Sequence, residues 1–318
     1  MPLVLEPSWV GRRVSVRLVV GARAEGRPLY TDVVGELLML DSGRAVIDTR
    51  NGLVDVTLHD VHIAKIAPPS TAAELALEAV AARGWRAAET ATIGGWLLRA
   101  DHGFTGRANS VLPLAAPGVP LDEALGQARR WYAERGLPLR VQVPSEARRL
   151  LDAELGERGW PADPDVHVMA TRLDTAPVAQ RPTRQPVELD TEPADEWLAV
   201  FRQGAAPTAV TRALLTRHDR ASFACIRLDG EVAAIGRGVV DDGWLGITAV
   251  EVSTTYRRQG LARQVMAALR GWGMAHGARH SYLQVSADNV AAVTLYQDLG
   301  YWVHHDYRYR SEPAGSAT

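Results

Sequence analysis

The sequence predicts a mixed α/β protein: two halves that share one order of elements, preceded by a small all-β module. Three observations predict it. Short runs with period-two alternation and turn residues fill residues 9–67. Residues 70–174 then read helix, strands, helix, strand, helix. After a segment rich in proline, the same order recurs over 187–310, the pattern of a strongly diverged structural repeat.

In the first module Val14, Val16, Leu18 and Val20 alternate with polar or small residues, and Val33–Leu40, Ala45–Thr49 and Leu53–Leu58 continue as strands. Asn51-Gly52 signals a two-residue hairpin, because both residues tolerate positive φ. Short strands at this spacing point to a small barrel over 1–67, similar to SH3-like barrels. His59 and His62 stand three apart; on a strand they face opposite sides, which argues against shared metal ligation. Pro68-Pro69-Ser70 marks the boundary. Thr71 to Arg83 is a helix with Thr71 as N-cap, Glu74 three residues on and Gly84 as its stop. Strands at Trp96–Arg99 and Ser110–Leu112 lead to a helix at Leu121–Arg135, a strand at Leu139–Val143 and a helix at Glu146–Arg158. Residues 175–186, with three prolines, read as a linker. Beyond it come a helix at Pro193–Arg202 and strands at Phe223–Leu228, Glu231–Val240 and Trp244–Val252. A helix at Leu261–His276, a strand at Tyr282–Val285 and a helix at Ala291–Leu299 complete the half, and 311–318 is expected to be a disordered tail.

Composition narrows the function class. With 47% hydrophobic and 23% charged residues among 318, the chain has ample core material. A net charge of −2 gives no global field for nucleic acid or an anionic membrane, and residues 9–67 show no aromatic stacking platform. One cysteine, Cys225, excludes intramolecular disulfides and Cys-based zinc sites; its apolar neighbours mark it as a core residue. No run reaches membrane-helix length and no signal peptide opens the chain, so a cytoplasmic protein is expected.

The chemistry sits after the long strand. Arg257-Arg258-Gln259-Gly260-Leu261-Ala262 feeds straight into the amphipathic helix carrying Val265, Met266, Leu269 and Trp272. A glycine-bearing turn at a helix N-terminus gathers unpaired N–H groups and the positive end of the helix dipole, which makes an anion site. Arg257 and Arg258 add charge suited to a pyrophosphate. The turn has neither the Lys-Ser/Thr of a P-loop nor the three glycines of a dinucleotide fingerprint.

The turn does match R-x-x-G-x-A, and about thirty residues on the chain reads Asn289-x-x-Ala292-x-x-Leu295-Tyr296-x-x-Leu299-Gly300-Tyr301. In this order and spacing, residues 187–310 resemble the GCN5-related N-acetyltransferase (GNAT) superfamily. The resemblance implies tandem GNAT-like halves with mixed, mostly antiparallel sheets, and acetyl-CoA as cosubstrate with no metal. It implies that backbone groups of Val250 and Val252 bind the pantetheine arm, that Arg257 to Ala262 hold the pyrophosphate, and that Asn289, with Ala292 in its motif, contacts the pantetheine. It also places Tyr296 beside the CoA sulfur as the general acid. Glu251 is the candidate base. Family members commonly carry a carboxylate earlier on this strand, where this chain has Gly246, and alternation turns Glu251 away from Val250 and Val252. A solvated glutamate and a water chain stay open at that position.

The first half lacks the pyrophosphate motif. Its junction, Ser110 to Gly118, carries Pro113 and Pro117, and Pro120 follows, which removes amides a phosphate would need. Residues 70–174 are therefore expected as a degenerate half that binds no CoA. Trp96-Leu97-Leu98-Arg99 and Gly106-Arg107-Ala108-Asn109-Ser110 resemble segments of actinobacterial proteins that join a small barrel, a degenerate half and an active half. The implied activity is transfer of acetyl to an amine by direct attack, with a non-catalytic acyl-CoA sensor as the alternative. The fold's usual acceptor regions correspond to Trp197 to Arg217 and Tyr301 to Arg310, which hold Trp197, Phe201, Arg202, His304, His305 and Asp306. They do not name the amine. The oligomeric state is likewise open.

Overall fold

Strand pairing divides the chain into two sheets. The structure, a computed structural model, describes residues 5–22, 26–173, 186–204 and 209–313. The expected linker, apart from Pro186, lies outside the described residues. Residues 1–70 and 71–318 are two compact units.

In the first unit, β1 (Arg13–Ala22), β2 (Pro28–Leu40), β3 (Arg44–Thr49), β4 (Gly52–Thr57) and β5 (Val61–Ile66) pair antiparallel in the order β4-β3-β2-β1-β5. Alternate residues Val14, Val16, Leu37, Ala45, Ile47 and Val56 form its buried core. The hairpin between β3 and β4 turns one residue earlier than expected. Thr49 pairs with Gly52, so Arg50-Asn51 makes the turn and Gly52, at φ 109°, opens β4. The Thr49 hydroxyl sets this register, accepting from Asn51 N–H at 3.2 Å and donating to the Gly52 carbonyl at 2.8 Å.

The second unit contains both predicted halves. The first runs α1 (Thr71–Gly84), β6 (Glu89–Ile93), β7 (Trp96–Ala100), β8 (Val111–Pro113), α2 (Leu121–Ala133), β9 (Arg140–Pro144), α3 (Arg149–Glu157) and β10 (Val166–Arg172). The second runs β11 (Glu188–Asp190), α4 (Asp195–Gly204), α5 (Ala209–Thr216), β12 (Ala221–Leu228), β13 (Glu231–Asp241), β14 (Trp244–Val252), α6 (Leu261–Ala275), β15 (His280–Ser286), α7 (Val290–Asp298) and β16 (Trp302–Ser311). All eleven strands form one sheet in the order β11-β12-β13-β14-β15-β10-β16-β9-β8-β7-β6.

That order shows why the halves are one unit rather than two. Each half has one parallel pair, β8 with β9 and β14 with β15, and each gives its last strand to the other. β10 pairs with β15 along its whole length, β16 pairs with β9, and β10 and β16 pair with each other. Neither half can leave without breaking all three of these ladders. Of the expected tail, Ser311 closes β16 and the Glu312 carboxylate accepts from Arg129 at 2.5 Å, while residues 314–318 lie outside the described residues.

α1 lies across this exchanged seam. Leu77, Val80 and Ala81 cluster with Val168, Tyr282, Tyr307 and Tyr309 of the three central strands. A buried polar chain runs beside them. Glu78 Oε1 accepts from Nε2 of His305 at 3.0 Å, which leaves Nδ1 of His305 to accept from Nδ1–H of His304 at 2.8 Å. Glu78 Oε2 accepts from Gln142 at 2.7 Å, and Gln142 Oε1 accepts from Arg99 at 2.8 Å. Every link is satisfied, as burial requires.

Burial, then the neighbouring His305, pushes His304 down from 6.5 to about 3. The folded chain therefore keeps His304 neutral while the unfolded chain takes up a proton below about 6.5, so stability falls as the pH drops through that value. Between pH 7 and 5 this site alone is expected to cost about 2 kcal/mol. Urea unfolding at the two pH values should show that much less acid sensitivity in His304→Gln.

Candidate active site

The strands β14 and β15 run side by side only from Trp244↔His280 to Ile247↔Leu283. Beyond that point they part. Opposite, β13 stays paired with β14 as far as Ala234↔Val252. A bulge produces the divergence: a step from Ile235 to Arg237 in β13 faces a longer step from Thr248 to Glu251 in β14, and Ala249 sits at φ 54°.

The bulge also decides which side chains meet. Leu245, Ile247, Val250 and Val252 pack with α6 residues Leu261, Val265, Met266 and Leu269. Gly246, Thr248 and Glu251 turn to the opposite face. Thr248 pairs with Arg237, and Glu251 with Ile235 of the cluster around Trp85 and Trp197. Without the extra residue Glu251 would face away from Gly246. With it, the half-buried Glu251 shares the face of the position where the resemblance expects a carboxylate. Gly246 itself cannot carry one, because a Cβ there would stand 2.4 Å from the Tyr282 hydroxyl oxygen.

At the end of β14 the chain turns through Arg257 and Arg258 into α6. Gly260 occupies the N-cap at φ 79° and Arg258 sits at φ 65°. A side chain at Gly260 would meet nothing within 4 Å, so the ground above the turn is open, and the positive φ is what calls for glycine. Among the described residues no acceptor meets the N–H groups of Gly260, Leu261, Ala262 or Arg263. Arg257, Arg258 and Gln259 are exposed around them, with Nε of Arg257 donating to the Val252 carbonyl at 3.4 Å. α6 seats closely on the sheet because Gly236 faces Val265 at 2.4 Å from its would-be Cβ.

Tyr296 of α7 joins the core of the α6 face and stacks edge-on to Tyr301 at 6.2 Å. Burial, with Tyr301 adding to it, pushes its phenol up to about 12. Its hydroxyl has no hydrogen-bond partner among the described residues. Asn289 has a role that the sequence reading missed: its Oδ1 caps α7, accepting from Ala292 N–H at 3.2 Å. An Asn immediately before a helix carries that signal. Trp197 and Phe201 prove to be core, with Trp197 Nε1 donating to the Ala224 carbonyl at 2.9 Å. His305 is held by Glu78, and Asp306 accepts from His167 at 2.6 Å. The side chain of Arg202 lies outside the described residues. Cys225 is buried in the same cluster as Trp197, and burial raises its thiol to about 11.

The equivalent point in the first half is built differently. β8 and β9 pair only at Val111↔Val141, and the Arg148 side chain reaches the main chain at the end of β8. Its Nε donates to the Pro113 carbonyl at 2.7 Å and its Nη2 to the Leu114 carbonyl at 2.6 Å. A cleft of about 450 Å³ remains beside it, lined by Trp96, Pro117, Leu121 and Leu151.

Known proteins agree with this architecture. The fold is that of GCN5-related N-acetyltransferases. It is similar to a GCN5-related N-acetyltransferase from Kribbella flavida (TM-score 0.59, 20% identity, 77% of this chain and 97% of that one). It is also similar to a tandem GNAT protein from the clavulanic acid biosynthesis pathway (TM-score 0.54, 14% identity, 80% and 91%). The family described as "Probable histone acetyltransferase Rv0428c C-terminal" matches residues 71–310, and the chain belongs to it. Two relatives by sequence are the probable histone acetyltransferase Rv0428c of Mycobacterium tuberculosis, 30% identical across 95% of this chain and 96% of that protein, and the uncharacterized N-acetyltransferase YobR of Bacillus subtilis, 29% identical across 74% and 96%.

The contact at Gly246 is directly testable. Gly246→Ala should destabilise the 71–318 unit by about 1–3 kcal/mol, the usual cost of overpacking. Urea unfolding of Gly246→Ala, Tyr282→Leu and the double variant should show the two substitutions together costing less than their sum.

Proposed function

We propose that the chain is an N-acetyltransferase that moves acetyl from acetyl-CoA to a primary amine by direct attack in a ternary complex. One observation carries the reading: a splayed strand pair that ends at a helix N-terminus whose N–H groups have no acceptor among the described residues. Open main chain along Val250 to Val252 fits an extended amide-bearing arm, and the turn from Arg257 to Ala262 fits a pyrophosphate. Asn289 keeps its amide nitrogen for the arm while Oδ1 caps the helix. The domain plan follows. Residues 187–310 hold the cosubstrate and 70–174 form a degenerate half, supported by Arg148 on the carbonyls that such an arm would need. Residues 1–67 form a small SH3-like barrel, supported by the strand order of its sheet.

Acetyl-CoA supplies an activated thioester; the chain supplies position and proton control. Glu251, on the face opposite α6, is the carboxylate placed to take the proton of an entering ammonium. Tyr296 is protonated at neutral pH and donates a hydrogen bond to the departing sulfur. Its raised pKa adds a refinement to the general-acid role. A phenol near 12 is a weaker acid than a thiol near 8.5, so full transfer from Tyr296 costs about 5 kcal/mol. Tyr296 therefore stabilises the sulfur's charge, and the nitrogen that becomes an amide releases the proton the thiol finally carries.

Gly260→Val is expected to weaken acetyl-CoA binding at least tenfold in titration calorimetry. A β-branched residue resists φ 79°, and relaxing it turns the amides out of register. Tyr296→Phe should lower the chemical rate about a hundredfold with little change in acetyl-CoA affinity. Free-thiol release with a panel of amines tests both the activity and this split. A wild-type chemical rate in the Phe variant would make Tyr296 a packing residue, and acetyl-CoA binding without thiol release from any amine would favour an acyl-CoA sensor.

A further inference from the structure

The loop between β7 and β8 is held by buried polar side chains, and its outcome is the position of one arginine. Asn109 Oδ1 accepts from the N–H groups of Asp101 at 2.7 Å and Gly103 at 2.9 Å, while its Nδ2 donates to the Thr105 carbonyl at 2.8 Å. The Ser110 hydroxyl donates to the Gly106 carbonyl at 2.7 Å and accepts from Arg99. Gly106 lies against the Tyr309 ring, where a Cβ would stand 2.9 Å from it. Buried Asp101 is ion-paired with Arg217. Moving this loop breaks several buried hydrogen bonds at once.

Arg107 is the side chain the loop presents. Its guanidinium lies over the Trp85 ring at 4.3 Å, and Nη1 donates to Gln284 Oε1 at 3.0 Å. Trp85 is fixed in turn by donation from Nε1 to Thr105 at 3.0 Å. Gln284 is the first residue of β15 beyond its last pair with β14, and Ala249, the bulge residue of the other strand, packs in the Trp85 cluster. Arg107 thus stands at the mouth of the splay, on the face opposite α6 and α7.

Among the described residues Arg107 has no carboxylate partner; a neutral amide and an aromatic ring hold it. A second arginine adds to the positive charge. Arg237, fully buried, donates to the carbonyls of Leu215 at 2.8 Å and Gly84 at 3.1 Å and is likewise uncompensated by an acid in those contacts. A half-buried, immobilised guanidinium with N–H groups to spare is built to receive a planar anion.

We propose that Arg107 anchors a carboxylate of the acceptor, so that the acceptor is a small amine bearing a carboxylate: a free amino acid or a close derivative. This rests on the acetyl-transfer reading of the same site. Such a molecule carries opposite charges at its two ends, and the face offers opposite charges in Arg107 and Glu251. A purely basic acceptor meets the guanidinium of Arg107 there instead, with the positive charge of buried Arg237 behind it.

The test uses the full chain and acceptors that differ only in the carboxylate: L-amino acids against their C-terminal amides, with spermidine and an amidated lysine-rich histone-tail peptide beside them. Thiol release reports turnover, and titration of the same compounds into protein saturated with CoA reports binding. Free acids should exceed their amides at least tenfold in kcat/KM. Arg107→Met should raise KM for the acid about 10- to 100-fold, leaving KM for the amide and acetyl-CoA affinity within about twofold; Arg107→Lys should recover part of the loss. The inference is overturned if amides or the histone-tail peptide are the better acceptors, or if Arg107→Met loses acid and amide alike, the mark of a packing role. If no amine releases thiol while acetyl-CoA binds, the transfer reading fails on its own. Titration then decides: Arg107-dependent binding of free acids supports the anchor, and its absence overturns it.

Discussion

The antiparallel pairing of β10 with β16 is the constraint on which the second unit depends. Each strand ends one half of the chain and completes the sheet of the other, so Val166↔Tyr307 and Ala170↔Trp302 are contacts between the ends of two repeats. A continuous sheet leaves no free edge at the join, which removes the unpaired backbone groups two separate halves would expose there. The same seam gives α1 its bed. By lying on Val168, Tyr282, Tyr307 and Tyr309, this first helix of the first half covers strands of the second.

From that arrangement comes the division of labour proposed between the halves. Both contain a parallel strand pair that parts beside a helix, because both descend through the same order of elements. In the first, Arg148 meets the carbonyls of Pro113 and Leu114 with its own guanidinium. In the second, the corresponding ground past Ile247 and Leu283 runs to the turn at Gly260. The first half's contribution to the site is then made from the other face, where α1, Trp85 and the loop carrying Arg107 approach the splay. A half without a cosubstrate motif can still furnish a wall for a substrate.

Local sequence patterns made much of this legible. The fold class, the repeated order of elements and the turn from Arg257 to Ala262 rest on alternation, helical periodicity and a glycine at a helix start, all short-range properties. The family assignment rests on two motifs whose spacing survives divergence. Smaller signals were present and were misread by one step. The Asn51-Gly52 signal puts Gly52 in the turn, whereas it opens β4, and the motif marks Asn289 as a ligand contact, whereas it also caps α7.

What the sequence by itself determined is therefore the elements with a clear local pattern, such as β12 to β14 and α6, and the glycine turn that opens α6, since a residue's own backbone preferences and its near neighbours decide these; the seam strands β10 and β16 are not among them. The tertiary structure decided what meets what. A single extra residue at Ala249 turns Glu251 onto the face of Gly246, and no propensity marks it, because a bulge is a matter of register between two strands. Strand exchange makes one unit of two halves, and the Arg107 contact with Gln284 joins residues 177 positions apart. Such contacts depend on the relative placement of distant elements, which the burial of a shared core sets and no local stretch of sequence encodes.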